Sequence, residues 1–118
     1  MPITHVKSEN HFTELLNTKT HDFIFVDFYA DWCGPCKRIA PKLEQYSTEF
    51  TNVLFTKVNV DELEDLSQRY NVTGMPTFLM FEQGSVVPIC LPVVGANEEK
   101  IRNMLLTAVT SLKVQDDF

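Results

Sequence analysis

Four consecutive apolar residues, Phe23-Ile24-Phe25-Val26, restrict this chain more than any other stretch. A strand turns alternate side chains to opposite faces, so a run that is apolar at both parities needs cover on both sides. That places it centrally, in a sheet held between helices. The strand-like run continues to Ala30 with one charged interruption, Asp27, between Val26 and Phe28. An isolated buried carboxylate is costly, so Asp27 is expected to titrate above the usual carboxylate range.

The strand leads directly into Trp32-Cys33-Gly34-Pro35-Cys36-Lys37. A helical pattern follows, with Ile39, Ala40, Leu43, Tyr46 and Phe50 on one face. Pro41 lies inside it, removes one backbone donor and is expected to kink the helix. Two cysteines three positions apart, where a strand ends and a helix opens, read as a redox pair. The partial positive charge and unpaired N–H groups of a helix N-terminus favour a thiolate. Cys33 is nearer the open end and is the cysteine expected to be activated. The same spacing also suits a structural disulfide or half of a zinc site. Zinc would require two further ligands, yet Cys90 stands alone and His5, His11 and His21 lack ligand spacing.

The remaining chain supplies the other layers. Ile3 to Val6 suits a short strand, and Ser8 or Asn10 suits the cap of a helix burying Phe12, Leu15 and Leu16. Val53 to Val60 is a further strand whose charged member is Lys57. Asp61 and Glu64 have capping-box spacing ahead of a helix that buries Leu63, Leu66 and Tyr70. A loop with Gly74-Met75-Pro76 precedes a strand over Thr77 to Phe81, and Gln83-Gly84 is a turn. Ser85 to Leu91 reads as its hairpin partner, interrupted by Pro88 and therefore an edge. Asn97 suits the cap of a last helix with Ile101, Leu105, Ala108 and Leu112 inward, and Gln115 to Phe118 is expected to fray. The order β-α-β-α-β-α-β-β-α predicts an α/β protein with a mixed sheet between helices.

The 118 residues suit one domain, 1–118, and a hydrophobic content of 44% can build a core. A net charge of -6 argues against a nucleic-acid partner, which would call for a basic face. No apolar run reaches membrane-spanning length, and Met1 to Thr20 lacks an apolar signal core. The expectation is a soluble protein of a reducing compartment, the cytoplasm, with no membrane partner.

At this point the chain clearly resembles the thioredoxin family. The resemblance rests on Val26-Asp27-Phe28-Tyr29-Ala30-Asp31-Trp32-Cys33-Gly34-Pro35-Cys36-Lys37, on Ala40-Pro41, Lys57, Gly74-Met75-Pro76-Thr77 and Gly95-Ala96, and spans Ile3 to the last helix. It implies a central five-stranded sheet in the order first, third, second, fourth, fifth, flanked by four helices. The first three strands in that order would be parallel and the last two antiparallel.

The resemblance also implies roles. Cys33 would attack a client disulfide, and Cys36 would resolve the mixed disulfide. A tight turn keeps that second step intramolecular. Gly34-Pro35 places no histidine beside Cys33, as oxidising relatives do. This suggests a reductant at roughly −270 mV, against roughly −180 mV for an isomerase-like domain. Asp27 would accept the Cys36 proton; its other reading is a structural partner of Lys57, and the two overlap because Lys57 would tune the same acid. Met75-Pro76 would be cis and face the pair, baring the Met75 backbone to a client, where the residues alone suggest a trans loop proline. Trp32, Gly74, Met75, Val94, Gly95 and Ala96 would form a flat apolar surface around Cys33. Asp31 and Lys37 would flank the site as solvated surface. Tyr29 departs from the tryptophan common in the family but retains an aromatic ring.

No bound cofactor is implied. Electrons would come from a separate NADPH-dependent flavoprotein, thioredoxin reductase, and pass to disulfide-containing client proteins, with the chain acting as a monomer. Two other functions share these residues: a thiol oxidase or isomerase of the same fold, and a binding subunit that uses the surface without the chemistry. The main departure from the family is Ser85 to Val93, a longer segment with Pro88, Pro92 and Cys90. Cys90 is expected to be a buried or half-buried small hydrophobe, with a regulatory thiol as the other reading.

Overall fold

The computed structural model describes residues 3–116, and the backbone alone at 108, 109 and 111–116. The elements are β1 (Thr4–His5), α1 (Glu9–Leu16), β2 (Phe23–Tyr29), α2 (Gly34–Glu49), β3 (Val53–Asn59), α3 (Glu64–Arg69), β4 (Thr77–Glu82), β5 (Val93–Val94) and α4 (Glu98–Asp116). The strands form one sheet in the order β1-β3-β2-β4-β5. β1, β3 and β2 are parallel, β4 is antiparallel to β2, and β5 is antiparallel to β4. Five strands and four helices, in the expected order, are found among the described residues.

β2 lies in the middle, covered on both faces as its composition demands. Ile24, Val26 and Phe28 pack in one core with Phe12 and Leu16 of α1 and Leu66 of α3. Phe23 and Phe25 join the opposite core with Ile39, Leu43 and Tyr46 of α2 and Ile101, Met104 and Leu105 of α4. Phe25 stacks on Phe78 of β4 with ring centroids 5.4 Å apart. Truncating such a ring to alanine costs about 3–5 kcal/mol, so the stacked pair ties β4 firmly to β2 on this face.

The helix ends follow local chemistry. Ser8 Oγ accepts from the His11 N–H at 3.0 Å and caps α1. Asn97 Oδ1 accepts from the Lys100 N–H at 2.9 Å at the start of α4. α2 continues through Pro41 without a break. The helical backbone of α4 runs on to Asp116, into the stretch expected to fray. Ala108 and Leu112, expected on its inner face, lie outside the residues whose side chains are described, as do residues 117–118 entirely. No helix of the described residues is long and apolar enough to cross a membrane.

Three expectations are corrected. α3 begins at Glu64 behind Leu63 with no side-chain cap, so Asp61 and Glu64 form no capping box. The carboxylate of Asp61 is engaged elsewhere, by Trp32. The partner of β4 is not Ser85 to Leu91 but the two-residue β5, registered as Thr77↔Val94 and Phe78↔Val93. Pro88 and Pro92 have no N–H to give a ladder, and the intervening Ile89 N–H donates to the Met80 carbonyl at 2.9 Å. The segment therefore follows the sheet edge without becoming a strand. Cys90 is a free, exposed thiol and not a core residue, although partial burial still pushes its pKa up.

Candidate active site

The site is assembled where β2 gives way to α2. Ala30 is buried, and its carbonyl accepts from the Cys33 N–H at 3.2 Å, closing the turn. Cys33 is the N-cap of α2, with extended backbone at φ −86° and ψ 110°. Its Sγ accepts from the Cys36 N–H at 3.2 Å. The sulfur thus occupies the place usually held by a capping oxygen, where helix N–H groups and the helix dipole stabilise negative charge. Pro35 falls in the first turn, where its missing N–H leaves no bond unmade. A Cβ at Gly34 would meet only the Arg38 guanidinium, at 3.8 Å, so crowding does not require glycine there.

Cys33 and Cys36 are joined by a disulfide, with Cα atoms 5.3 Å apart. The residues are 4% and 6% exposed, so accessibility alone does not rank them. What ranks them is the cap: Cys33 receives the helix N–H group. The pair packs with Ala30 against Tyr29, Val60 and Met75. The Met75-Pro76 peptide is cis, and Pro76 is buried.

Trp32 and Val94 are 67% and 61% exposed. Gly74 faces Val94, whose Cγ1 would lie 3.6 Å from an added Cβ. The Gly95 N–H donates to the Pro76 carbonyl at 2.8 Å, and Gly95 has φ +100°, a conformation that favours glycine. Ala96 is half-buried and packs onto the α2–α4 core, so its contribution to the surface is partial.

Asp27 lies on the sheet face that α2 covers, 2% exposed, and its Oδ1 has no hydrogen-bond partner among the described residues. Burial raises its pKa from 3.8 to about 7, and the charge of Lys57 moderates the rise. Lys57 is in register with Asp27 on the adjacent strand but forms no ion pair with it. Its Nζ lies 4.9 Å from the centroid of the Tyr29 ring. A cavity of about 270 Å³ reaches from Cys36 past Tyr29 and Lys57 to a rim of exposed Lys37, Asp31 and His5.

One part of the site was not foreseen. The Trp32 Nε1–H donates to Asp61 Oδ2 at 2.9 Å, and the Asp61 N–H donates to Asn59 Oδ1 at 2.9 Å. Asn59 Nδ2 also reaches Asp31 Oδ2 at 3.5 Å. The end of β3 thereby holds the exposed indole in place beside Cys33. The available signal was a polar pair just past an apolar strand, which capping spacing explained differently. Among the described residues no group of three or more His, Cys, Asp or Glu is placed to hold a metal ion, so the partners a zinc site would need are not assembled there.

The family model described as Thioredoxin matches residues 3–107. This chain belongs to the thioredoxin family. Thioredoxin-2 of Pyricularia oryzae is 49% identical over 87 residues, which are 74% of this chain and 49% of that protein. The chain thus spans about half the length of that relative. Thioredoxin 1 of Plasmodium falciparum is 39% identical over 100 residues, covering 85% of this chain and 91% of that one. The X-ray structure of Fasciola hepatica thioredoxin superposes with a TM-score of 0.81 at 38% identity, covering 89% of this chain and 98% of the other. Thiol–disulfide exchange is the chemistry of the thioredoxin family, and this member carries its redox pair already bonded.

Proposed function

We propose that this chain is a protein-disulfide reductase, and that the structure captures its oxidised form. The observation that carries the reading is the Cys36 N–H donating to Cys33 Sγ at the head of α2. It supports Cys33 as the thiolate and attacking group. In the forward reaction that thiolate attacks a client sulfur, and the client's second sulfur leaves as a thiolate. The Cys36 thiol then gives its proton to the Asp27 carboxylate and attacks Cys33 Sγ. The Cys33–Cys36 bond forms, the mixed disulfide breaks, and the fully reduced client departs. Two electrons pass from the pair to the client.

An acceptor titrating at about 7 suits this step, because it is ionised enough to take a proton and basic enough to hold it. The apolar rim of Trp32, Val94 and Met75 supports recognition of protein clients without sequence readout. Gly34-Pro35 adds no histidine to stabilise the thiolate, which favours a reductant over an oxidase or isomerase. The reading places the chain in a reducing compartment such as the cytoplasm, acting as a monomer with no bound cofactor. A separate NADPH-dependent thioredoxin reductase would restore the dithiol. Reduction of insulin disulfides, coupled to such a reductase, tests direction and electron source together. Turnover that needs both this chain and NADPH is expected; absence of insulin reduction by the pre-reduced chain overturns the reading.

A further inference from the structure

The sheet registers place His5↔Lys57 and Asp27↔Lys57, so three charged or titratable residues form one row across β1, β3 and β2. Paired residues of adjacent parallel strands point to the same face, here the face beneath α2. The row ends at the open edge of the sheet, where His5 is exposed. The His5 ring meets the Tyr29 ring edge-on at 6.4 Å, and Lys57 Nζ lies 4.9 Å from the centroid of the same ring. The cavity lined by Cys36, Lys57 and Tyr29 also includes His5. Row, ring contact and cavity all connect the edge of the sheet to the resolving cysteine.

We propose that His5 is a positioning residue for the resolving step: a positive charge at this end of the row keeps the Asp27 carboxylate ionised to lower pH. The inference rests on the reading of Asp27 as proton acceptor. The charged and titratable groups facing this region are Lys57 on β3, Tyr29 on β2, Asp31 after it, Cys36 and Lys37 on α2, and Glu62 toward Tyr29. β4 contributes Phe78 to the row and no charge. His5, exposed at the sheet-edge end of the row, is the position where a charge can be added or withheld by substitution.

The sign follows from Coulomb's law. With His5 neutral, Lys57 alone opposes the burial that favours the protonated acid. With His5 cationic, the carboxylate is stabilised further and Asp27 ionises at lower pH. Two strand spacings, about 10 Å, correspond to a shift of about 0.3 to 1 pH unit for dielectric constants between bulk water and a protein surface. The resolving step would thus retain its proton acceptor on the acid side of neutrality.

The test compares His5→Gln, never charged, with His5→Lys, charged throughout, in the full chain with its cysteines reduced. The Asp27 carboxyl carbon is titrated by NMR, and single-turnover release of client from a mixed disulfide is followed against pH. The His5→Lys midpoint is expected about 0.3 to 1 unit below that of His5→Gln, with the release profile displaced in the same direction. Should Asp27→Asn leave release unchanged while the NMR gap persists, the acceptor reading falls and the electrostatic link stands. Coincident midpoints in the two His5 variants, or release profiles that do not follow them, overturn the inference.

Discussion

The indole N–H of Trp32 is held by Asp61, 29 positions later in the chain, at 2.9 Å. The bond fixes a large, exposed ring at the rim of the Cys33–Cys36 disulfide. Asp61→Ala leaves the cysteines and the core intact but frees the ring. Loss of one such hydrogen bond is worth about 1 kcal/mol, so kcat/KM for insulin reduction should fall about fivefold. The equilibrium redox potential should stay within error of the parent's. Unchanged kcat/KM would mean that the ring needs no anchor to meet clients.

The division of labour between the cysteines is open to trapping. Cys36→Ser leaves Cys33 able to attack and removes the group that resolves. Stable mixed disulfides through Cys33 should accumulate in lysate and disappear on reduction. Cys33→Ser should trap few or none, since Cys36 lacks the cap position. The reverse pattern on mass spectrometry would exchange the assigned roles.

The contrast between Cys33 and Asp61 shows what local sequence carries. Strand, turn, Pro35 and helix are contiguous, so the geometry of Cys33 is written in a short stretch of chain. The two-sided burial of β2 was legible in the same way, from Phe23 to Val26. Asp61 depends on a partner that only the folded chain brings near, and its spacing to Glu64 offered a local explanation that the backbone does not use. The edge strand lies away from its expected place for a related reason. Its apolar residues suggested pairing over Ser85 to Leu91, but pairing is a matter of available N–H groups, and Pro88 and Pro92 displace it to Val93–Val94. The same displacement leaves Cys90 exposed. The cis Met75-Pro76 bond was implied by family likeness alone; no residue pattern on its own would have specified it.

Asp27 makes a prediction with a definite sign. Its folded pKa, about 7, exceeds the unfolded 3.8. A group raised in this way contributes most stability below the unfolded value, and the contribution is lost as pH rises through the folded one. Asp27→Asn removes the ionisation. Its stabilisation relative to the parent should therefore be greater at about pH 8 than at about pH 3.5, by on the order of 4 kcal/mol, in urea denaturation of the oxidised form. The parent's turnover is expected to rise as pH passes neutrality, and the same variant should lose that rise. A pH-independent stability difference would show that the fold does not raise the Asp27 pKa above its unfolded value.

Activation of Cys33 by the head of α2 is testable in the reduced protein. The rate of iodoacetamide alkylation against pH should give a midpoint for Cys33 below the free-thiol value of about 8.5. A midpoint at or above that value would deny the helix end its role.

The proposed mechanism requires that this pair donate electrons to client disulfides. The equilibrium redox potential of Cys33–Cys36, measured against a defined thiol–disulfide couple, tests it most directly. A value of roughly −270 mV is expected, some 90 mV below an isomerase-like domain and equivalent to about 4 kcal/mol of driving force. A value of roughly −180 mV or higher would contradict it, and would make the chain an oxidant or isomerase built on the same fold.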